Sequence, residues 1–570
     1  MFRTFVSWIT ENYILAGILA LTLFLSSAGI FFYFGNPYAV GDESVLTAAA
    51  LNMLAEPSLV PASPFNYHMP LAAYLYVPAI AFVLGVLLFF GAFTSIEEIV
   101  AFGAVEWGQL IMVGRFLSVA LAILCVYLVY RITQEMFAKR TVSLIASYVV
   151  ATHVLFVNLA HTGKVWIPQL TIILLSIWLI VRLMHTSAPR VRHYVGIGIS
   201  LAAALGTHFI GILAYVPFVV SLYLNDKEKG VMGVLRNRGF WIVNGILLLS
   251  LPVLYVMNPY GFTNYFGRGV QAAVALVAGG GAVDISPEGW SNKIWYYPRV
   301  LWDYQPILTF LFVPSLLLFF KRQRTWFWLV SSFVFVYYFV IGPLVGGSTL
   351  RLEPRFILPV IPFMAIVVAY AYIDVCERSK DVWRRVLRVG LAVFLLFSLI
   401  TPVLWDWRMM GPYTEEEALH WIEGAIPNNS RLAMFTYAGP IPLNENAESL
   451  RVLKETNPDF FSTSRAFLLE NDDVLQSRQP HYFAPPLSYY LRKEMPEALV
   501  DQDFDYIITT WNHVGQRVLI EKQMEEMGLL FENAELIAAF PGGASEESNA
   551  VSIIGWLTHP IRTLLRTPMH

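Results

Sequence analysis

The 570-residue chain is 56% hydrophobic and 14% charged, with a mean hydropathy of +0.57 and a formal net charge of −3. Such values exclude a soluble globule with a polar surface and give no basis for nucleic-acid binding; they describe a polytopic membrane protein. The two cysteines, Cys125 and Cys376, both fall in apolar stretches and imply neither a disulfide framework nor a zinc site.

Apolar runs of membrane-spanning length recur from Tyr13 to Trp405, after which the composition becomes that of an ordinary soluble domain. The expected organisation is a membrane domain over 1–409, a small extracytoplasmic α/β domain over 410–556 and a basic tail over 557–570. The first run, Tyr13 to Phe34, is too long for a signal-peptide core and is expected to be a retained helix. Basic residues then cluster in five connections: Arg131 with Lys139 and Arg140, Arg182 with Arg190 and Arg192, Lys227 to Arg238, Lys321 to Arg324, and Arg378 to Arg388. The positive-inside rule makes these cytoplasmic. Between Gly35 and Leu110 there is no Lys or Arg, but there are acids at Asp42, Glu43, Glu56, Glu97, Glu98 and Glu106, so the loop 35–110 reads as external.

One crossing by residues 70–91 would put every later basic loop outside. That segment is therefore expected to lie along or re-enter the outer leaflet, with Pro70 and Pro78 breaking or tilting it. Residues 194–224 must cross twice for the same reason, turning near Gly206-Thr207-His208 on short or broken helices. The result is about 11 transmembrane helices plus juxtamembrane helices, at 13–34, 111–131, 141–158, 168–184, 194–207, 208–224, 240–257, 303–320, 325–345, 354–374 and 389–406. The chemistry is expected in the external segments 35–110, 159–167, 258–302 and 346–353 of a plasma-membrane protein.

Asp42 and Glu43 are the leading candidates there. A carboxylate at the membrane boundary can serve as a base or a ligand; alternatively, Asp42 caps a helix running from Ser44 to Leu54. Five cationic groups can meet these acids from the outer helix ends: Arg115, Lys164 (beside His161), His208, Arg351 and Arg355. Each alone could simply snorkel to the interface. Together they describe a site for an anionic group, most simply a phosphate, next to a base. The 258–302 loop is rich in aromatics, Tyr260, Phe262, Tyr265, Phe266, Trp290, Trp295, Tyr296 and Tyr297, which fit an interfacial belt with a few left for sugar stacking. Its Gly279-Gly280-Gly281 run lacks the context of a phosphate loop and reads as a turn.

In this order the motifs resemble the GT-C glycosyltransferases that use polyprenyl-phosphate sugars, specifically the protein O-mannosyltransferase and lipid A aminoarabinose transferase branch, over roughly residues 10–410. The elements are Gly41-Asp42-Glu43, Asn66-Tyr67-His68-Met69-Pro70-Leu71, Gly114-Arg115-Phe116-Leu117-Ser118, Gly206-Thr207-His208 and Arg355-Phe356-Ile357-Leu358-Pro359. The resemblance implies Asp42 as catalytic base, Glu43 supporting base or acceptor, and Lys164, His208 and Arg355 on the lipid phosphate. His68, Arg115 and Arg351 complete the set expected to bind donor or substrate. The implied reaction is inverting attack by an acceptor hydroxyl of a glycan, lipid or protein on C1 of the donor sugar. The sequence departs from the family at Met69, which replaces a proline, at Ala202-Ala203, which replace Gly-Leu, and at His208, which replaces a lysine. Residues 163–169 also lack the family's acid, so no cofactor is required by the sequence and a divalent metal is not supported.

In the C-terminal part, Thr414 and Glu417 read as a capping box for a helix through Ile426. Strands are expected at Arg431 to Tyr437, Asp505 to Thr510, Glu535 to Phe540 and Val551 to Trp556, with a helix at 514–527. The competing classes are a transporter or flippase of a lipid-linked glycan, which would carry its charges near the membrane midplane, and a non-catalytic scaffold of the same fold.

Overall fold

The computed structural model describes residues 12–32, 41–55, 58, 60–61, 69–264, 267, 287–344, 353–410, 414–435, 441–458, 461, 463–485, 487, 495–500, 502–509, 521–529 and 535–538. The first part is a helical bundle. Its helices are α1 (Tyr13–Ser27), α2 (Gly41–Ala55), α3 (Pro70–Phe89), α4 (Ile96–Val105), α5 (Trp107–Phe137), α6 (Arg140–Ala151), α7 (Val154–Ala160), α8 (Trp166–Met184) and α9 (Val191–Thr207). After a 3-10 segment at Phe209–Ala214 come α10 (Tyr215–Asn225), α11 (Gly230–Arg236), α12 (Arg238–Met257), α13 (Pro287–Tyr304), α14 (Pro306–Arg322) and α15 (Arg324–Phe339). A second 3-10 segment, Pro354–Val360, leads into α16 (Ile361–Arg378), followed by α17 (Asp381–Met409).

Helix α5 has 31 residues and is about 46 Å long at 1.5 Å per residue, enough to span a bilayer with a turn to spare at either end. Pro354–Arg378 forms the centre of the bundle, with 89% of its most apolar window buried, whereas the windows in α12 and α17 are 11% and 22% buried and leave their apolar faces outward. In a hydrocarbon solvent those faces need no further cover.

Among the described residues seven helices are long and apolar enough to cross a membrane, or nine if the bent pairs α6 with α7 (61°) and Phe209–Asn225 with α11 (111°) each count once. Eleven were expected. Of the expected spans, α1 with 15 residues and α9 and α14 with 17 each fall short of a crossing length, whereas Leu71–Phe89, expected to lie along or re-enter the outer leaflet, is one of the seven helices long and apolar enough to cross. The reversal itself falls where the sequence placed it. α9 ends at Thr207, His208 is extended (φ −158°, ψ 135°), and the next 3-10 turn packs back so tightly that a Cβ on Gly211 would sit 2.3 Å from the Ala204 carbonyl oxygen.

Three expectations need correction. Residues 70–89 form one unbroken helix rather than a broken one: Pro70 stands at its first turn, where no intrahelical donor is lost, and Pro78 forfeits a single hydrogen bond. Asp42 does not cap a helix beginning at Ser44, because α2 begins at Gly41 and takes Asp42 and Glu43 into its first turn. The end of the 258–302 segment is helical, not a loop: α13 buries Tyr297 completely and exposes 62% of Trp295. The Gly279-Gly280-Gly281 run lies outside the described residues.

The basic connections gather at one pole of the bundle. Lys139 pairs with Glu377 at 2.6 Å, Arg378 and Arg322 share Asp374 at 3.0 and 3.6 Å, and His185 lies 5.5 Å from Trp326. The N-terminal ends of α2, α5 and α8 form the opposite pole.

The C-terminal part contains α18 (Thr414–Ala425), β1 (Leu432–Phe435), α19 (Ala447–Thr456), α20 (Thr463–Glu470), α21 (Asp472–Gln476), α22 (Glu497–Val500) and β2 (Tyr506–Thr509). β1 and β2 pair in parallel, Leu432 opposite Tyr506, and residues 482–483 add bridges to Arg431 and Glu445. Residues 521–526 are helical, as expected; 535–538 carry no strand; 551–556 lie outside the described residues. Thr414 is itself the first helical residue of α18, one position inside the expected cap. Helix α20 rests on α4, where Val105 packs against buried Leu450, Leu468 and Leu475. α4 is started by Ser95, whose hydroxyl accepts the Glu98 N–H, while Glu98 accepts the N–H and hydroxyl of Thr94. These bonds hold the Glu98 carboxyl below its ordinary pKa, the Thr94 N–H contributing most.

Candidate active site

At the pole opposite the basic loops, Glu43 is 1% exposed and Arg115 2% exposed. They form a two-point pair: Arg115 Nε donates to Glu43 Oε1 at 3.2 Å and Nη2 to Oε2 at 2.9 Å. The Gly163 N–H donates to the same Glu43 Oε1. Arg115 Nη1 donates to the carbonyls of Ile30 (2.8 Å) and Phe32 (2.5 Å), and the guanidinium carbon lies 4.0 Å from the centroid of the Phe32 ring. Four of the five guanidinium protons are thus spent inside the protein. Arg115, which the sequence grouped with the cations expected to bind donor or substrate, here ties the first turn of α2 to the chain leaving α1.

Gly163 is the hub of this arrangement. Its carbonyl accepts the Tyr76 hydroxyl, and a Cβ there would lie 3.1 Å from the backbone of Gly114. A Cβ on Gly114 would in turn stand 2.3 Å from Tyr76 Cε1. Only two glycines allow α3, α5 and the 161–165 turn to approach this closely. Gly114→Ala is expected to destabilise the protein by about 1–3 kcal/mol through overpacking against Tyr76, measured by thermal unfolding in detergent, with Tyr76→Phe alone not relieving the clash.

Lys164 follows, 8% exposed, and leads to a second group. Trp166 starts α8 with its ring 5.1 Å from His208 and 4.9 Å from Phe356; His208 stacks on Phe209 at 4.9 Å. Arg355 lies over Trp166 at 5.2 Å and pairs with Glu353, each 26% exposed. Extended His208 and the 3-10 turn carrying Arg355 both project from helix breaks, the positions that membrane helices reserve for polar work. Residues 163–166 are the bridge: one end is fixed to Glu43, the other stacks under Arg355 and beside His208.

The structure therefore brings Glu43, Arg115, Lys164, His208 and Arg355 to one pole, with Asp42 next to Glu43 in the first turn of α2. The side chain of Asp42 and the whole of His68 and Arg351 lie outside the described residues. Sequence reasoning missed Tyr76, Trp166 and Glu353. Tyr76 sits in an apolar run with no motif around it, and Trp166 falls within residues 163–169, where the sequence signal is a missing acid rather than an aromatic. Among the described residues no cluster of three or more His, Cys, Asp or Glu is placed to hold a metal ion.

Residues 99–256 match the family model described as dolichyl-phosphate-mannose-protein mannosyltransferase. No curated protein sequence matches the chain. Among solved structures, the oligosaccharyltransferase of Archaeoglobus fulgidus in its apo form is similar with a TM-score of 0.50 and 11% identity, covering 90% of this chain and 68% of that one. ArnT from Cupriavidus metallidurans bound to undecaprenyl phosphate gives 0.45 at 11% identity, covering 73% and 72%. The oligosaccharyltransferase AglB from Archaeoglobus fulgidus, in complex with an inhibitory peptide and a dolichol-phosphate, gives 0.45 at 14% identity, the match covering 74% of this chain and 59% of that one. The family model matches 158 of the 570 residues, and the likeness to the apo oligosaccharyltransferase is one of fold, that of a multi-pass helical membrane protein.

Proposed function

We propose that the chain is an integral-membrane glycosyltransferase that moves a sugar from a polyprenyl-phosphate donor to an acceptor hydroxyl on the extracytoplasmic face. The observation that carries this reading is the bridge 163–166, which holds Lys164 between the acidic first turn of α2 and the His208, Trp166 and Arg355 stack. Asp42 takes the acceptor proton as the hydroxyl attacks C1. The C1–O bond to phosphate breaks on the opposite side, the configuration inverts, and the polyprenyl phosphate leaves against Lys164, His208 and Arg355. Cations at that point stabilise charge that grows only as the bond breaks, which lowers the barrier rather than merely tightening binding. His68 and Arg351 complete the donor contacts in this reading.

The site lies at helix ends, which favours group transfer over passage through the bundle. The experiment is reconstitution of the full chain in liposomes with a mass-tagged polyprenyl-phosphate sugar and a panel of protein, glycan and lipid acceptors. The expected result is one polyprenyl phosphate released per sugar transferred. Movement of intact donor between leaflets without cleavage would replace this reading with that of a flippase. In the same assay Arg355→Ala is expected to lower kcat/KM by on the order of 10²-fold, the usual loss for one charge-stabilising group.

A further inference from the structure

The loop that carries Lys164 is held at its other end by a buried pair that the reaction above does not use. His161 is fully buried; its Nε2 lies 2.8 Å from the Leu25 carbonyl oxygen, to which it donates, and 3.4 Å from Asp406 Oδ1. Asp406 is 2% exposed, and among the described residues neither of its oxygens accepts a hydrogen bond. A carboxyl in such a place is expensive to bury. Next to it Trp405 and Met409 pack with Phe32 and Val154, and a Cβ on Gly29 (φ +74°) would reach within 2.7 Å of Met409 Cβ. The last turns of α17 are thus seated on the chain leaving α1, the same segment whose Ile30 and Phe32 carbonyls Arg115 holds from the other side.

We infer that Asp406, acting through His161, is a positioning residue that fixes the 161–165 loop, and with it Lys164, to the end of α17. His161 is three residues from Lys164 and two from Gly163, so a shift of the imidazole moves both the Glu43 contact and the amine. The inference about position stands on geometry alone; its kinetic consequence rests on the proposed transferase reading.

The test uses the full chain with Cys125 and Cys376 replaced by alanine and a single cysteine at Thr162, a residue only 7% exposed. Thiol-labelling rates in detergent report how often the loop opens. Asp406→Ala and His161→Ala are each expected to speed labelling by on the order of tenfold, the double variant no more than either single, and Asp406→Asn, which keeps an oxygen toward His161, to stay near the parent rate. Labelling unchanged by either alanine, or effects that multiply in the double variant, overturns the inference. If one alanine variant does not accumulate as folded protein, the other alanine variant against Asp406→Asn still decides it. In the transferase assay, Asp406→Ala is expected to raise the donor KM more than it lowers kcat. A parent protein without transfer activity would refute the functional reading while leaving the labelling comparison to decide the positioning role.

Discussion

Asp42→Asn is expected to abolish turnover, lowering kcat by on the order of 10²–10⁴-fold, while leaving donor KM and the unfolding temperature close to those of the parent. A base that takes a proton only as the new bond forms contributes to the transition state and little to ground-state binding. The control is Glu43→Gln. Glu43 receives three hydrogen bonds, two of them from a guanidinium, at 1% exposure, so neutralising it strands the Arg115 charge and lowers the unfolding temperature as well as the rate. Measuring kcat and thermal unfolding on both variants separates the two roles. If Asp42→Asn retained full kcat, or if Glu43→Gln lost activity with unfolding unchanged, the assignment of base and anchor would be wrong or reversed.

The second large effect is structural. Arg115→Leu is expected to cost about 3–5 kcal/mol, because it leaves the Glu43 carboxylate buried without its partner. The Ile30 and Phe32 carbonyls lose their donor too. Arg115→Lys would not rescue it: one ammonium cannot reproduce a fork that meets two carboxylate oxygens and two carbonyls at once. The double variant Arg115→Leu with Glu43→Leu should regain a large part of the loss, since replacing a whole buried ion pair by apolar groups is often close to neutral. Chemical denaturation in mixed micelles, followed by tryptophan fluorescence, reads all four proteins. Equal stability of Arg115→Leu and the parent would mean that the pair contributes nothing.

Much of this was legible from residue order. Charge counting separated the pole of basic loops from the pole of the site, and the ion pairs Lys139–Glu377 and Arg322–Asp374 show that the basic loops do meet. The turn at Gly206-Thr207-His208 was legible because two passes do not fit in the available length. What sequence could not show was which cation meets which carboxylate. Arg115 and Lys164 look alike as charges near helix ends, yet one is consumed by Glu43 and two carbonyls while the other sits on the loop between the two groups. That choice depends on Gly163 and Gly114 touching, a contact made by the absence of side chains and so carrying no pattern. The continuity of α3 was misjudged because two prolines were weighed equally, although only Pro78 occupies a position where proline removes a helical hydrogen bond.

The route of the Glu43 contacts sets an order of assembly during synthesis. Glu43 emerges 72 residues before Arg115 and 120 before Gly163. The first carboxylate must therefore wait at the membrane face, hydrated, until the third helix after its own brings Arg115, and five helices separate its own from Gly163. Closure then proceeds strictly from the N-terminal side: the guanidinium arrives with α5, the glycine clamp with α8, the His208 ring with the hairpin after α9, and Arg355 only with the central helix. Asp406, near the end of the membrane part, is the last piece to reach the site. A ribosome stalled between α8 and Asp406 leaves a chain whose acid is already paired but whose lysine loop still lacks its outer brace.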